Sequence, residues 1–459
     1  MSQSQTNVEE VLKEIRLITE KAAGTKDKAV AKSLMEQAEQ SWQAVENPSE
    51  ADIVSACEYF AAAYDKLNEY DKAIQKSMQE LEIVERLKGL DDPRTVDILC
   101  SIGSLYEEKD EYDRALEYFE KCLEILERND WPVSVLHAEV YVHLGVVQCD
   151  LGDYADAEAS ICKAIDILEN EPEQDYTKIA AAYLNLARIY SEVSMFDRAM
   201  EYYQKALIIK ISVLGPDHPE TASIMNHIGM TYNDIGMPER AMEYCQNAAD
   251  TIRASLGPDS LQMASIYSNL GKIYNEKNDQ KAALSNFRKA LKIRERSLSP
   301  DAPLLAISYN SVGSTYRKLG QFELAETYLR KALKIVKKVF DKDNMMVGGL
   351  YGNLSALYRD RGEYDRAFAY NQRAIEIQEE LFGPDNLDTS AVYHARALLY
   401  EMTGNFSEAI PWLLKALPVI ERNYGPDHSY VHNICNHLAY AYERTGDLRK
   451  AAEYRKKAG

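Results

Sequence analysis

Between Pro219 and Ser260 the apolar and small side chains fall at Ala222, Met225, Ile228, Gly229 and Tyr232, and then at Ala241, Tyr244, Cys245 and Ala248. Spacings of three and four place each set on one face of an amphipathic helix. Gly236 separates the two stretches, and the second ends at Leu256 before Gly257 and Pro258. Glycine closes a helix by taking a left-handed conformation, and the proline after it cannot continue one. The segment therefore predicts an antiparallel pair of helices. The same stop recurs at Gly215-Pro216, Gly383-Pro384 and Gly425-Pro426, while Ser299-Pro300 keeps the proline alone and Asp341-Lys342 replaces the pair.

This pattern returns in a fixed register. Ala61, Gly103, Gly145, Ala187, Gly229, Gly271, Gly313, Ser355, Ala397 and Ala439 each lie 42 positions after the last. Twelve residues beyond every one of them stands an alanine, from Ala73 to Ala451, and three beyond stands a tyrosine, with Gln148 the one exception. A period this long, kept without an insertion, means that each copy is a structural unit stacked on its neighbours. The alanines and glycines mark places where two backbones approach closely.

The order of small residue, tyrosine at +3, glycine near +7, aromatic near +9 and alanine at +12 and +19 resembles the tetratricopeptide repeat. Gly313, Tyr316, Gly320, Phe322, Ala325 and Ala332 carry it complete. The 42-residue length and the connector Leu214-Gly215-Pro216-Asp217-His218-Pro219 are similar to the long-helix form found in kinesin light chains and in repeat arrays of bacterial signalling proteins. The resemblance covers residues 51–459 and implies an all-α, right-handed superhelical solenoid of antiparallel helix pairs. We expect residues 1–6 as a flexible tail, 7–50 as an N-terminal helical cap and 51–459 as ten tandem repeats. No long heptad coiled coil precedes the repeats, a departure from kinesin light chains. The last second helix stops at Lys456-Lys457-Ala458-Gly459, earlier than its counterparts. That early stop suggests another cap, a longer parent chain, or self-association.

The bulk numbers narrow the class of function. A chain that is 46% hydrophobic and 27% charged is a folded globular one. A net charge of -20 disfavours general nucleic-acid binding, which needs a concentrated basic face. The opening MSQSQTNVEEVLKEI has no secretory pattern, and no apolar run is long enough to span a bilayer, so no membrane role is expected. Seven cysteines without a CxxC pair read as reduced thiols and point to the cytoplasm.

In tetratricopeptide arrays the first helix of each pair lines the concave surface. The position two before the small residue reads Tyr59, Ser101, His143, Asn185, His227, Asn269, Ser311, Asn353, Ala395 and His437. An amide can donate to one backbone carbonyl and accept from one N–H, which suits an extended peptide whatever its side chains. Asn185, Asn269 and Asn353 thus resemble the asparagine ladder of such arrays, and they read equally as solvated or scaffold-bonded side chains. Arg188, Lys272, Arg317, Lys318 and Arg359 follow at +1, +4 and +5. Such a cluster would draw an acidic segment by its local field, or else form ordinary helix-surface ion pairs.

The candidate peptide-binding set is His143, Asn185, Arg188, His227, Asn269, Lys272, Arg317, Asn353 and Arg359. The family's two-carboxylate clamp for a free C-terminus is not found in consecutive copies. Arg396 stands where most copies carry Leu or Ile, marking either a distortion or a pairing partner. No GxxxxGK[ST], HExxH, GxSxG or GxGxxG element occurs, and His432, Cys435 and His437 fall on different helix faces. We therefore expect no catalytic residue, metal or cofactor. The expected function is a non-enzymatic scaffold or adaptor holding a partner's protein or peptide segment in its groove. A regulatory peptide sensor or a self-assembling scaffold is the alternative.

Overall fold

The computed structural model describes residues 3–25, 27–129, 132–340 and 343–459, with no side-chain account for residues 3–7 and 28. The chain divides into two compact units, Met1–Pro216 and Asp217–Gly459. The first holds α1 (Gln3–Gly24), α2 (Lys28–Gln43), α3 (Glu50–Lys66), α4 (Tyr70–Lys88), α5 (Pro93–Glu108), α6 (Tyr112–Arg128), α7 (Val135–Leu151), α8 (Tyr154–Asn170), α9 (Tyr176–Glu192) and α10 (Phe196–Leu214). The second holds α11 (Pro219–Asp234), α12 (Pro238–Ser255), α13 (Leu261–Glu276), α14 (Gln280–Ser297), α15 (Pro303–Lys318), α16 (Phe322–Val339), α17 (Met345–Asp360), α18 (Tyr364–Phe382), α19 (Leu387–Met402), α20 (Phe406–Tyr424), α21 (Ser429–Thr445) and α22 (Leu448–Lys457). Each unit is an all-α solenoid of helix pairs, and the described residues contain no strand.

Helix α1 includes Gln3 to Thr6, where the sequence reading places a flexible tail. No proline or glycine interrupts the chain before Gly24, so the i to i−4 hydrogen bonds run through these positions. Ile15, Ile18 and Met35 of α1 and α2 share one buried cluster with Val54, Phe60 and Tyr64 of α3.

Every pair turns at the same place. The residue seven after the small position is left-handed in all ten copies: Asn68, Asp110, Gly152, Ser194, Gly236, Asn278, Gly320, Gly362, Gly404 and Gly446. The next N–H bonds back across the turn, as Glu69 does to the Tyr64 carbonyl at 2.8 Å and Asp447 to the Tyr442 carbonyl at 2.9 Å. This is the six-to-one closure that satisfies an orphan carbonyl at a helix C-terminus. Ser194 (φ 58) takes this conformation without the help that an Asn or Asp side chain gives it. Ser194→Gly is therefore expected to stabilise the first unit by about 1 kcal/mol; an unchanged or lower urea midpoint would refute this.

In several copies, among them those of Tyr106, Tyr190 and Tyr358, the tyrosine at +3 packs on a tyrosine of its own second helix. Ring centroids lie 5.5 Å apart for Tyr106 and Tyr118, 5.7 Å for Tyr190 and Tyr202, and 5.3 Å for Tyr358 and Tyr370. Where the small residue is glycine, the space is taken. A Cβ on Gly103 would lie 2.8 Å from the ring of Phe119, and one on Gly271 would lie 2.6 Å from Phe287.

Arg396 does not distort α19, which runs unbroken through it. Its guanidinium is buried over the rings of Phe368 and Trp412, at 5.3 Å and 5.6 Å. Nη2 donates to Gln372, and Nε has no partner among the described residues.

Candidate functional site

Within each unit the first helices of successive pairs touch, as α5 does α7, α11 does α13, and α15 does α17. Side chains at +4 and +5 consequently meet the neighbouring first helix. In the second unit, Arg317 pairs with Asp360 of α17, and Arg359 donates from Nε and Nη2 to Asp360 Oδ1 at 3.0 and 2.8 Å. Two guanidiniums thus share one carboxylate. Lys318 Nζ donates to the amide oxygen of Asn275 at 2.8 Å. Burial first, and then the charge of Arg317, holds the Lys318 ammonium below its ordinary range. The Nε of Arg317 is buried without a hydrogen bond.

The other predicted positions behave differently from one another. Asn353 Nδ2 donates to Asn310 Oδ1 at 2.8 Å, so this amide is bonded within the scaffold. Asn185 and Asn269 are half-buried and have no hydrogen bond to a described residue. Lys272 and His227 are exposed. Arg188 Nη1 pairs with Asp150 at 3.1 Å, and His143 Nδ1 lies 3.2 Å from Glu107 Oε2 with its ring stacked on Phe119. The structure therefore brings together Arg317 and Arg359 through Asp360, whereas Arg188 and His143 each have a carboxylate of their own. Cys435 is buried in a core cluster, and His437 Nδ1 lies 2.8 Å from Glu401 Oε2. Beside them His394 is pushed down to about 4, by burial first and then by His437 and Arg359.

The first unit carries the opposite charge. A cavity of about 670 Å³ opens between α3, α4, α5 and α7, lined by Glu58, Asp65, Glu80, Asp97, Glu108 and Glu139 among others. Among the described residues Arg94 is the only lysine or arginine in its wall. At +4 and +5 this wall carries Asp65 and Glu108, where the copies of Gly313 and Ser355 have Arg317, Lys318 and Arg359. In the sequence, the acidic members of these columns look like ordinary solvated surface. Glu80 also left a signal: it stands at +19, where eight of the ten copies have alanine.

Among the described residues no group of three His, Cys, Asp or Glu could hold a metal ion, and no helix is long and apolar enough to cross a membrane. The wall chemistry is that of charge pairing and amide hydrogen bonds.

A family model described as Tetratricopeptide repeat matches residues 54–128, 136–212, 178–244, 220–296, 282–338 and 347–421, and a second of the same description matches 432–458. The chain belongs to the tetratricopeptide repeat family. Aspartyl phosphate phosphatase F from Bacillus subtilis is 18% identical over 91% of this chain and 94% of that one, with a TM-score of 0.51. A Pyrococcus horikoshii signal transduction ATPase with numerous domains, carrying a tetratricopeptide repeat sensor, is 16% identical with a TM-score of 0.53; the match covers 92% of this chain and 63% of that one. A Podosopora anserina kinesin light chain of nearly identical TPR-like repeats is 17% identical over 45% of this chain and 98% of that one, with a TM-score of 0.38. At these identities the first two show a common tetratricopeptide fold. No curated protein matches the chain.

Proposed function

We propose that this tetratricopeptide chain is a non-enzymatic interaction scaffold, and that the first-helix face of its second unit holds an acidic segment of a partner protein. The observation that carries the reading is the convergence of Arg317 and Arg359 on the single carboxylate of Asp360, with Lys318 answered only by an amide oxygen. On a chain of net charge -20, such a face attracts carboxylates by its local field rather than by the whole molecule's charge. Asn269, half-buried and unbonded, offers an amide to a partner main chain on a neighbouring first helix. The partner is a protein segment, not a nucleic acid or a membrane. All seven cysteines are free thiols, which suits a cytoplasmic adaptor.

Calorimetry with a blocked glycine-serine peptide bearing a central run of glutamates tests this. The pair Arg317→Ala and Arg359→Ala is expected to weaken binding by about 10- to 100-fold, roughly 1.4 kcal/mol per factor of ten, and added salt should weaken the wild-type complex. A double variant that binds within twofold of wild type would sink the proposal.

A further inference from the structure

We propose that the cavity of the first unit is a second binding site, which receives the cationic side chain of a lysine or arginine in a partner segment. It lies wholly within Met1–Pro216, so its test stands apart from that of the arginine face.

The cavity is made by two breaks in the repeat. At +16 the other copies that carry alanine at the small position have Tyr203, Leu413 and Arg455, whereas the first copy, with Ala61, has Ser77. At +19, in place of alanine, it has Glu80. Small and polar groups at core positions open a pocket instead of a packed interface. Its volume of about 670 Å³ falls within the usual range for ligand sites, about 300–1,000 Å³.

Both breaking residues want a partner. Ser77 and Glu80 are 4% and 6% exposed, line the cavity, and make no hydrogen bond to any described residue. Their oxygens open onto the cavity, where a donor placed in it can reach them. Arg94 supplies one positive charge for two acids: its Nη2 bonds Glu58 at 3.4 Å and stands 3.5 Å from Glu80. Burial, and then the charge of Glu58, pushes the Glu80 carboxyl up to about 7 against the pull of Arg94. Burial and then Glu139 likewise raise Asp97. Glu139 already pairs with Lys178 at 2.7 Å, and an added ammonium or guanidinium would answer Ser77, Glu80 and Asp97, since each is donor-only and carries the missing charge.

The sign of the pH effect follows. With its folded value raised, Glu80 keeps its proton at pH 6 and loses it by pH 8. A cation binds the ionised form, so affinity should rise by about tenfold across that interval. The probe is a blocked glycine-serine peptide with a central lysine pair, titrated calorimetrically into the full chain. Binding is expected at pH 8, with about tenfold loss in E80Q and loss of the pH dependence. S77L, which places there the residue that Leu413 supplies in the Ala397 copy, should abolish binding while keeping the helical circular dichroism. Affinity within twofold of wild type in both E80Q and S77L, or no rise from pH 6 to pH 8, overturns the site. Spermidine binding as tightly as the peptide overturns the assignment to a partner segment.

Discussion

Phe119→Ala is expected to destabilise the first unit by about 3–5 kcal/mol, the range for removing a fully buried aromatic side chain. The ring is wholly buried, and it occupies the space that Gly103 leaves by having no Cβ. It also stacks on His143, at 5.2 Å between centroids. Removing it empties the interface between α5 and α6 and leaves the His143 ring without its support. In a linear array each copy contacts only its neighbours, so the damage should be concentrated around these helices. Urea denaturation would give the size of the loss, and hydrogen exchange at the amides of α5 and α6 its location. A loss under about 1 kcal/mol would mean that neighbouring side chains refill the space.

Arg396→Leu should act in the opposite direction. A guanidinium buried over Phe368 and Trp412, with Nε unbonded and one bond to Gln372, occupies a site that is leucine in Leu144, Leu186, Leu270, Leu354 and Leu438. Burial holds its pKa below the ordinary arginine range. Replacing a buried charged group by an apolar one of similar volume often stabilises, here by about 1–4 kcal/mol. A lower urea midpoint in Arg396→Leu would show instead that the cation stacked on the two rings outweighs its desolvation.

The helix pairs were legible because small residue, tyrosine and alanine recur at fixed offsets, and each offset has one packing role. The turn was legible only in part. Glycine at Gly236 and Gly320 announces a left-handed residue, but Asn68, Asp110, Ser194 and Asn278 hold the same conformation without announcing it. The site was less legible still. Asn353 looks like a free amide until Asn310, 43 positions earlier, is seen to accept from it at 2.8 Å. Arg317 and Arg359 read as separate charges until Asp360 joins them. Such pairings depend on how neighbouring first helices approach each other, which a one-dimensional pattern does not contain. Glu80 is the reverse case. Its departure from an alanine column was present in the sequence, and attention to exceptions rather than to regularities would have found it.

The identical closure of all ten turns bears on how the gene can change length. Because Asn68 and Gly446 sit in the same conformation, with the same backbone bond behind them, a cut at one turn can be joined to the cut at another without new local geometry. Duplication or excision in whole multiples of the period preserves every junction, whereas a shift of a single residue would put an apolar stripe out of phase with its neighbour. Growth by unequal crossing-over is thereby tolerated in one step size and penalised in all others.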